Sequence, residues 1–598
     1  MRAKGGNRFD GRTTACVAAL VFLVFAVYLN TLYNGFVYDD SRQIVGNPWI
    51  TSARHIPDIL STHSYGFAKD NYQTISYRPV VFMMFMAEYA AFGLGRPWGW
   101  HLVSVFVHAL NAVMVFFVAS KLLLRHGARP DSARYLPPLA AAVIFAVHPV
   151  NSESVAWLAT QPELSYTFLT LAAFYLYMRS DDAGAKGGLS FLLWYRIAPG
   201  ALFFIALLFK ETAVVLPALI IIHELMALRD MGIFSQARIR RYLPFAFSMA
   251  AYMLLRFWAL KGEITPSSTL LSFLTGPQFA LNSAFLWMQD MRMLLLPIND
   301  YPLQPLDPLL SIAEPRAIAA LAVILSVPAA MVVLRKKVGA LHLLALAFIA
   351  LPILPTLYAP AISYFPYADR YLYLPTAGLG LLIALALRRC LRGGPSLARA
   401  AGAVLVSAAV VSSFWAASRN RIWRDDLSLW SASLEGSPDN YIAVHSIGYL
   451  NMKNGDLDQG IRDLERALAL NERSAHPDAA MLLFTRKVLA SAYHDRGLLD
   501  LAAREYSEVL KSEPDSFIAA YNLAEIYRSR GFFSDAAEFY KRALLSADEP
   551  AKFREVYINL GYCYYNLGLR QEALSSFTEA LGHAPGDPVL LDNIRRLR

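Results

Sequence analysis

The sequence predicts an all-α chain in two parts, a polytopic membrane bundle of about eleven spans followed by an α-solenoid of short repeats. Three observations lead there: an apolar composition, a series of bilayer-length apolar runs with basic loops between alternate pairs, and a repeat near the C-terminus. Of the 598 residues, 56% are hydrophobic and 17% charged, against about 25% charged in ordinary soluble chains. Residues 418–598 carry 22 Lys+Arg and 26 Asp+Glu, which leaves 33 and 20 for residues 1–417. The apolar part is therefore basic and the remainder mildly acidic. Cations beside apolar spans are what orientation in a bilayer requires, so the excess is not a nucleic-acid surface. The three cysteines, Cys16, Cys390 and Cys563, offer neither a disulfide framework nor metal-ligand spacing.

Runs of a length that crosses a bilayer lie near 14–32, 101–123, 164–178, 188–208, 211–228, 241–260, 314–334, 338–356, 371–388 and 398–417, with a shorter one at 137–150. The first follows basic residues, exceeds a signal-peptide core and lacks a small-residue cleavage site, so it is expected to be retained. With a cytoplasmic N-terminus, every cytoplasmic loop is basic. These loops hold Arg2, Lys4, Arg8 and Arg12; Lys121, Arg125, Arg129 and Arg134; Arg229, Arg238, Arg240 and Arg241; Arg335, Lys336 and Lys337; and Arg388, Arg389, Arg392 and Arg399. An odd number of spans puts the C-terminal repeats outside the cytoplasm. The run 279–297 contains Gln289, Asp290 and Arg292 and is expected to lie in the interface. The stretch 33–100 reads as one long external loop with a membrane-hugging piece at 80–94.

The division expected is 1–417 for the membrane domain, 418–438 for a linker and 439–598 for about four repeats. The repeat pattern is Gly448, Gly455, Gly460, Leu464, Ala467; Ala490, Tyr493, Gly497, Ala502, Tyr506, Pro514; Ala524, Tyr527, Gly531, Ala536, Tyr540, Ala543; and Gly561, Tyr564, Gly568, Ala573, Phe577, Ala580, Pro585. Small residues at fixed helical offsets let paired helices approach while the aromatics fill the space between them. That is the packing of tetratricopeptide repeats. The wider interval between Gly448 and Ala490 implies an insertion or an extended helix.

The first external loop opens with Phe36-Val37-Tyr38-Asp39-Asp40. Adjacent carboxylates at a membrane edge are costly without a task or a partner, although an interfacial turn or helix cap would also account for them. Further polar residues fall on the same side: Tyr77, Arg78, His101, His108, His148, Glu153, Glu163, Lys210, Glu211, Asp369 and Arg370. Singly, Lys210-Glu211 could be a turn and His148 a satisfied helix-end histidine. Together they supply cations for a phosphate and carboxylates to activate a hydroxyl.

Phe36 to Ile50, Tyr77-Arg78-Pro79, His101-Leu102 with His108, His148 to Trp157, Lys210-Glu211, Asp369 to Pro375 and Trp423 to Trp430 resemble the transmembrane-and-tetratricopeptide-repeat protein O-mannosyltransferases. The resemblance covers nearly the whole chain. It implies a GT-C membrane fold, a polyprenyl-phosphate-linked sugar as donor, and transfer, mannose by analogy, to Ser or Thr hydroxyls of proteins on the extracytoplasmic face. It also implies that the Asp39-Asp40 pair holds the catalytic carboxylate; on that basis we infer that Asp40, slightly preferred over Asp39, is the general base and that Arg78, Lys210 or Arg370 neutralises the departing phosphate. Tyr77, His101, His148, Glu153, Glu163, Glu211 and Asp369 are further site candidates. No metal ligands are assigned, and a divalent ion stays open. The chain departs from the family pattern at Gln161-Pro162-Glu163, where many relatives carry a basic-acidic pair. The expected partners are membrane lipid, the lipid-linked sugar and an acceptor protein held by the repeats; a bacterial inner membrane is the expected location. The rival readings are a non-catalytic scaffold for envelope assembly and a transferase acting on lipid or polysaccharide.

Overall fold

The computed structural model describes residues 10–68, 76–125, 134–180, 193–227, 236–262, 274–298, 301–334, 339–357, 365–474, 476–547 and 549–598. Among these residues the chain is helical throughout. The lone β contact is an isolated bridge between Gln304 and Tyr367. Of the basic residues used to orient the spans, Arg2, Lys4, Arg8, Arg129, Arg229, Arg335, Lys336 and Lys337 lie outside the described residues. The chain forms two compact units, Met1–Ala432 and Ser433–Arg598.

Each expected span contains a helix, and among the described residues five helical segments are long and apolar enough to cross a membrane: Gly11–Tyr33, Pro97–Leu124, Ala340–Leu357, Asp369–Arg392 and Pro395–Trp423. Three other expected spans are shorter among the described residues. Leu136–Val147, Ala198–Phe209 and Leu216–Ala227 have 12 residues each, about 18 Å of helix against a hydrocarbon core of about 30 Å. Leu136–Val147 gives way at His148-Pro149 to the short helix Asn151–Ala156, and Ala198–Phe209 gives way at Lys210 to a 3₁₀ turn, Glu211–Val215. Backbone that leaves the helix at membrane depth is tolerated where protein or a cavity surrounds it.

Two glycines let helix backbones meet closely. A Cβ on Gly378 would stand 2.6 Å from the Ala345 carbonyl oxygen, and one on Gly380 would stand 2.6 Å from that of Ala141. The helix Tyr373–Arg392 therefore nests against Ala340–Ile353 on one face and Leu136–Val147 on another. Buried polar groups fix the register. Tyr373 Oη meets His108 Nδ1 at 2.6 Å and accepts from Asn111 Nδ2 at 3.2 Å, while Asn111 Nδ2 also donates to the Leu164 carbonyl at 2.9 Å.

The segment expected as a linker is helical, and its first part belongs to the membrane unit. Trp423 stacks on Trp157 with ring centroids 5.1 Å apart, and Trp430 packs edge-on against Tyr38 at 5.5 Å. Burying two indoles outweighs leaving the segment in solvent, and the compact unit runs to Ala432.

The second unit consists of four helix pairs and a terminal helix: Tyr441–Lys453 with Leu457–Glu472, Ala479–Asp495 with Leu499–Ser512, Phe517–Ser529 with Phe533–Leu544, Pro550–Asn566 with Arg570–His583, then Pro588–Leu597. Each pair turns at a glycine with positive φ: Gly455 (94°), Gly497 (79°), Gly531 (80°) and Gly568 (75°), a left-handed helix end that other residues resist. Ala490, Ala502, Ala524, Ala536, Ala573 and Ala580 are all fully buried at the helix contacts.

Candidate active site

The residues singled out for chemistry sit at helix ends. Arg78 precedes the first turn of Pro79–Phe92, Glu163 opens Gln161–Arg179, Lys210 caps Ala198–Phe209, and Arg370 lies in the turn that enters Tyr373–Arg392. Proline in the first turn starts three of these helices, at Pro79, Pro162 and Pro199, where the missing N–H costs no hydrogen bond. These ends enclose a cavity of 290 Å³ lined by Asp39, Arg78, Glu163, Lys210, Glu211 and Arg370, together with Gln43, Tyr65, Trp157 and Tyr371.

The loop that brings Asp39 to this cavity is held from both sides. Gly35 N donates to the Arg424 carbonyl at 2.9 Å, and Asn34 Nδ2 to that of Asn420 at 3.1 Å. Tyr38 takes a left-handed φ of 52°, a conformation that persists only where its surroundings impose it. Its N–H donates to Asp426 Oδ1 at 2.7 Å. The two carboxylates that follow are then sent to different places. Asp40 is fully buried, and its oxygens accept from the backbone N–H of Val37 at 3.0 Å and of Ala159 at 2.7 Å. It ties the loop to the turn after Trp157. Asp39 is partly exposed and lines the cavity. Among the described residues its carboxylate has no hydrogen-bonded partner; the charges of Arg370 and Arg42 reach it. Burial raises the Asp39 carboxyl above the usual carboxylate range, with those two arginines pulling the other way. Burial pushes Asp40 further up, against the two amides that favour its charged form.

Each cavity cation is already matched. Arg78 grips Glu211 through Nε–Oε2 at 3.0 Å and Nη2–Oε1 at 2.8 Å, the bidentate form that suits a guanidinium. Lys210 Nζ pairs with Glu163, both nearly buried. Arg370 Nη1 donates to Glu153 Oε1 at 2.5 Å, and Glu153 Oε2 accepts from the backbone N–H of Asp369 at 3.0 Å. The Arg370 guanidinium also lies over the rings of Trp157 at 5.2 Å and Tyr371 at 4.9 Å, and Lys210 Nζ lies 5.2 Å from the Tyr371 ring centre. Such contacts hold cations in a desolvated place without consuming their N–H groups.

Six of the twelve expected site residues, Asp39, Arg78, Glu163, Lys210, Glu211 and Arg370, thus share one cavity. The other six do not line it. Asp40 holds backbone, Tyr77 Oη donates to the Leu60 carbonyl at 2.8 Å, and His101 Nε2 meets the Gly35 carbonyl at 3.3 Å. His148 Nε2 meets the Leu294 carbonyl at 3.1 Å, Glu153 orients Arg370, and Asp369 pairs with Arg419. At the departure from the family pattern, Gln161 Nε2 turns away to Glu88, Ser104 and the Trp100 carbonyl, at 3.1–3.3 Å, while Pro162 and Glu163 line the cavity. Gln43, Tyr65, Trp157 and Tyr371 were not among the expected site residues. Gln43 lies four positions after Asp39, and the three rings announce themselves only through the cations above them, Arg42 over Tyr65 and Arg370 over Trp157 and Tyr371.

A bundle of apolar helices with a charged cavity walled by its helix ends, continued in sequence by a helical-repeat domain, defines a polytopic membrane protein carrying tetratricopeptide repeats. Tetratricopeptide-repeat family models match residues 488–552 and 555–587. Protein O-mannosyl-transferase Tmtc3 of Drosophila melanogaster is 23% identical over 91% of this chain and 65% of its own length, and protein O-mannosyl-transferase F38B6.6 of Caenorhabditis elegans is 26% identical over 73% and 60%. Protein O-mannosyl-transferase Tmtc1 of Drosophila melanogaster is 36% identical over 33% of this chain and 21% of its own. The chain is similar to these three protein O-mannosyl-transferases, and it spans at most 65% of the length of any of them. Among solved structures, a crystal structure of MamA matches 26% of this chain and 85% of its own at 23% identity and a TM-score of 0.23.

Proposed function

We propose that the chain is a membrane glycosyltransferase that moves a sugar, mannose by analogy with its relatives, from a polyprenyl phosphate to a Ser or Thr hydroxyl of a protein. The observation that carries this reading is the separation of the two carboxylates: Asp40 is spent on backbone amides, while Asp39 looks into a cavity with three cations in its wall. Asp39 takes the proton from the acceptor Oγ as that oxygen attacks the anomeric carbon. The bond from that carbon to the phosphate oxygen breaks, its electrons leave with the polyprenyl phosphate, and Arg370, Lys210 and Arg78 balance the charge that develops. Glu153, Glu163 and Glu211 keep these cations in position before the donor arrives. This assigns the base to Asp39, in place of the Asp40 preferred from sequence.

The reaction takes place on the extracytoplasmic face, of the inner membrane in a bacterial host, and the repeat unit selects the protein that carries the hydroxyl. Glycopeptide mass spectrometry of the envelope tests the class and the acceptor together. Cells with the chain should show hexose on defined Ser or Thr peptides, and cells without it, or with Asp39→Asn, should lose that hexose. An unchanged glycopeptide inventory would leave the scaffold reading standing.

A further inference from the structure

The membrane unit has a second charged cluster at the other end of the bundle. The helix Gln161–Arg179 places Glu163 in the cavity and Tyr177 fourteen residues on, about 21 Å away along the axis. There the Tyr177 and Tyr242 hydroxyls both donate to Glu224, which is 2% exposed. Two guanidiniums approach the same carboxylate: Arg241 Nη1 at 3.4 Å and Arg238 Nε at 3.8 Å. Arg238 is 4% exposed, and its Nη1 and Nη2 have no hydrogen-bond partner among the described residues. An arginine cannot shed its proton, and buried donors left unmet are costly. Among the described residues, one carboxylate facing two guanidiniums leaves a net positive charge, and Arg238 keeps N–H groups unmet.

Beside this cluster lies an apolar groove of 480 Å³ between the helices Ala198–Phe209 and Gln236–Ala259, with Ile197, Gly200, Phe204, Leu243, Phe247 and Ala251 in its walls. Leu243 and Phe247 are 56% and 77% exposed, so the groove opens outward toward lipid. The positions 240, 244, 247 and 251 fall on one face of the helix. That puts the exposed Arg240 at the basic end of the groove, one turn from Pro244.

We infer that this groove and the Arg238–Arg240–Arg241 cluster form a site for an anionic glycerophospholipid, its phosphate on the arginines and one acyl chain in the groove. A guanidinium fork matches phosphate oxygens, and basic pockets between membrane helices hold lipid head groups in this way. The charge complementarity selects an anionic head group over a zwitterionic one. The site shares no residue with the cavity that contains Asp39, and it stands independently of the proposed transfer reaction.

The test is native mass spectrometry of the full chain released from nanodiscs that contain phosphatidylglycerol or phosphatidylcholine. The parent protein should retain phosphatidylglycerol in preference. Arg240→Gln, an exposed change that leaves the Glu224 cluster intact, should weaken retention about fivefold, the worth of one cation at a lipid surface. Arg238→Gln should weaken it more. Ala201→Phe, which fills the groove, should abolish retention of either lipid. Equal retention of both lipids by the parent, or phosphatidylglycerol held by Arg240→Gln and Ala201→Phe as by the parent, would overturn the proposal. So would one-for-one displacement by a polyprenyl phosphate, since the groove would then be that lipid's site.

Discussion

The two units use charge in opposite ways. In the membrane unit the ion pairs at the cavity join helix ends far apart in sequence and are largely shielded, as Lys210–Glu163 and Arg370–Glu153 are. In the repeat unit most pairs are at the surface, such as Arg496–Asp458 at 2.7 Å with both side chains more than half exposed, and the fold rests on small residues and glycine turns. A solenoid repeats one local solution and contacts mainly its neighbours. The membrane unit interrupts its helices instead, and its charged side chains gather where the interruptions meet. Regularity builds a surface, and irregular backbone builds a site.

That contrast can be broken by substitution. The largest effect on stability is expected at the shielded pair. Lys210→Met leaves Glu163 buried without its cation and should cost about 3–5 kcal/mol, whereas Lys210→Met with Glu163→Leu should recover most of that loss, both read from thermal unfolding in detergent. Transfer should remain impaired in the double variant. A double variant no more stable than the single one would remove the pair from the account.

A smaller effect is expected in the repeats. Gly531 holds a φ of 80° with open space around its Cα, so Gly531→Ala costs only the left-handed penalty, about 1–2 kcal/mol. Hydrogen exchange should show the loss in residues 517–544 and leave the membrane unit as it was. The smallest is at the surface: Arg496→Ala should lower the unfolding free energy of the repeats by less than about 1 kcal/mol. A loss there as large as that at Lys210 would erase the distinction between the units.

Legibility in the sequence follows the same division. The repeats were readable because each turn needs glycine and each helix contact needs alanine or glycine, so Gly497, Gly531 and Gly568 mark the fold directly. The spans were readable because crossing lipid constrains composition over their whole length. The site was readable as a set, since half of its expected members meet in one cavity. What the sequence could not assign was which neighbour does what. Asp39 and Asp40 differ through the left-handed Tyr38, which answers to Asp426, 388 residues away. Asp426 and Trp430 lie in a segment that reads as a linker, and only tertiary packing makes them part of the membrane unit. Arg78 and Glu211 likewise meet across 133 residues with no local signal.

The central claim is that Asp39 is the base and Asp40 is structural, and single-turnover transfer to a peptide acceptor as a function of pH tests it most directly. A base must be deprotonated, so transfer by the parent should fall as pH drops through the Asp39 pKa, and burial should place that fall above the usual carboxylate range. Asp39→Asn should keep its fold, lose about 10²- to 10⁴-fold in rate and lose that limb of the profile. Asp40→Asn should keep the limb in whatever protein folds, and its loss should be one of stability, because an amide offers a single oxygen where two backbone N–H groups now donate. Near-parental transfer by Asp39→Asn, or disappearance of the limb in well-folded Asp40→Asn, would contradict the assignment.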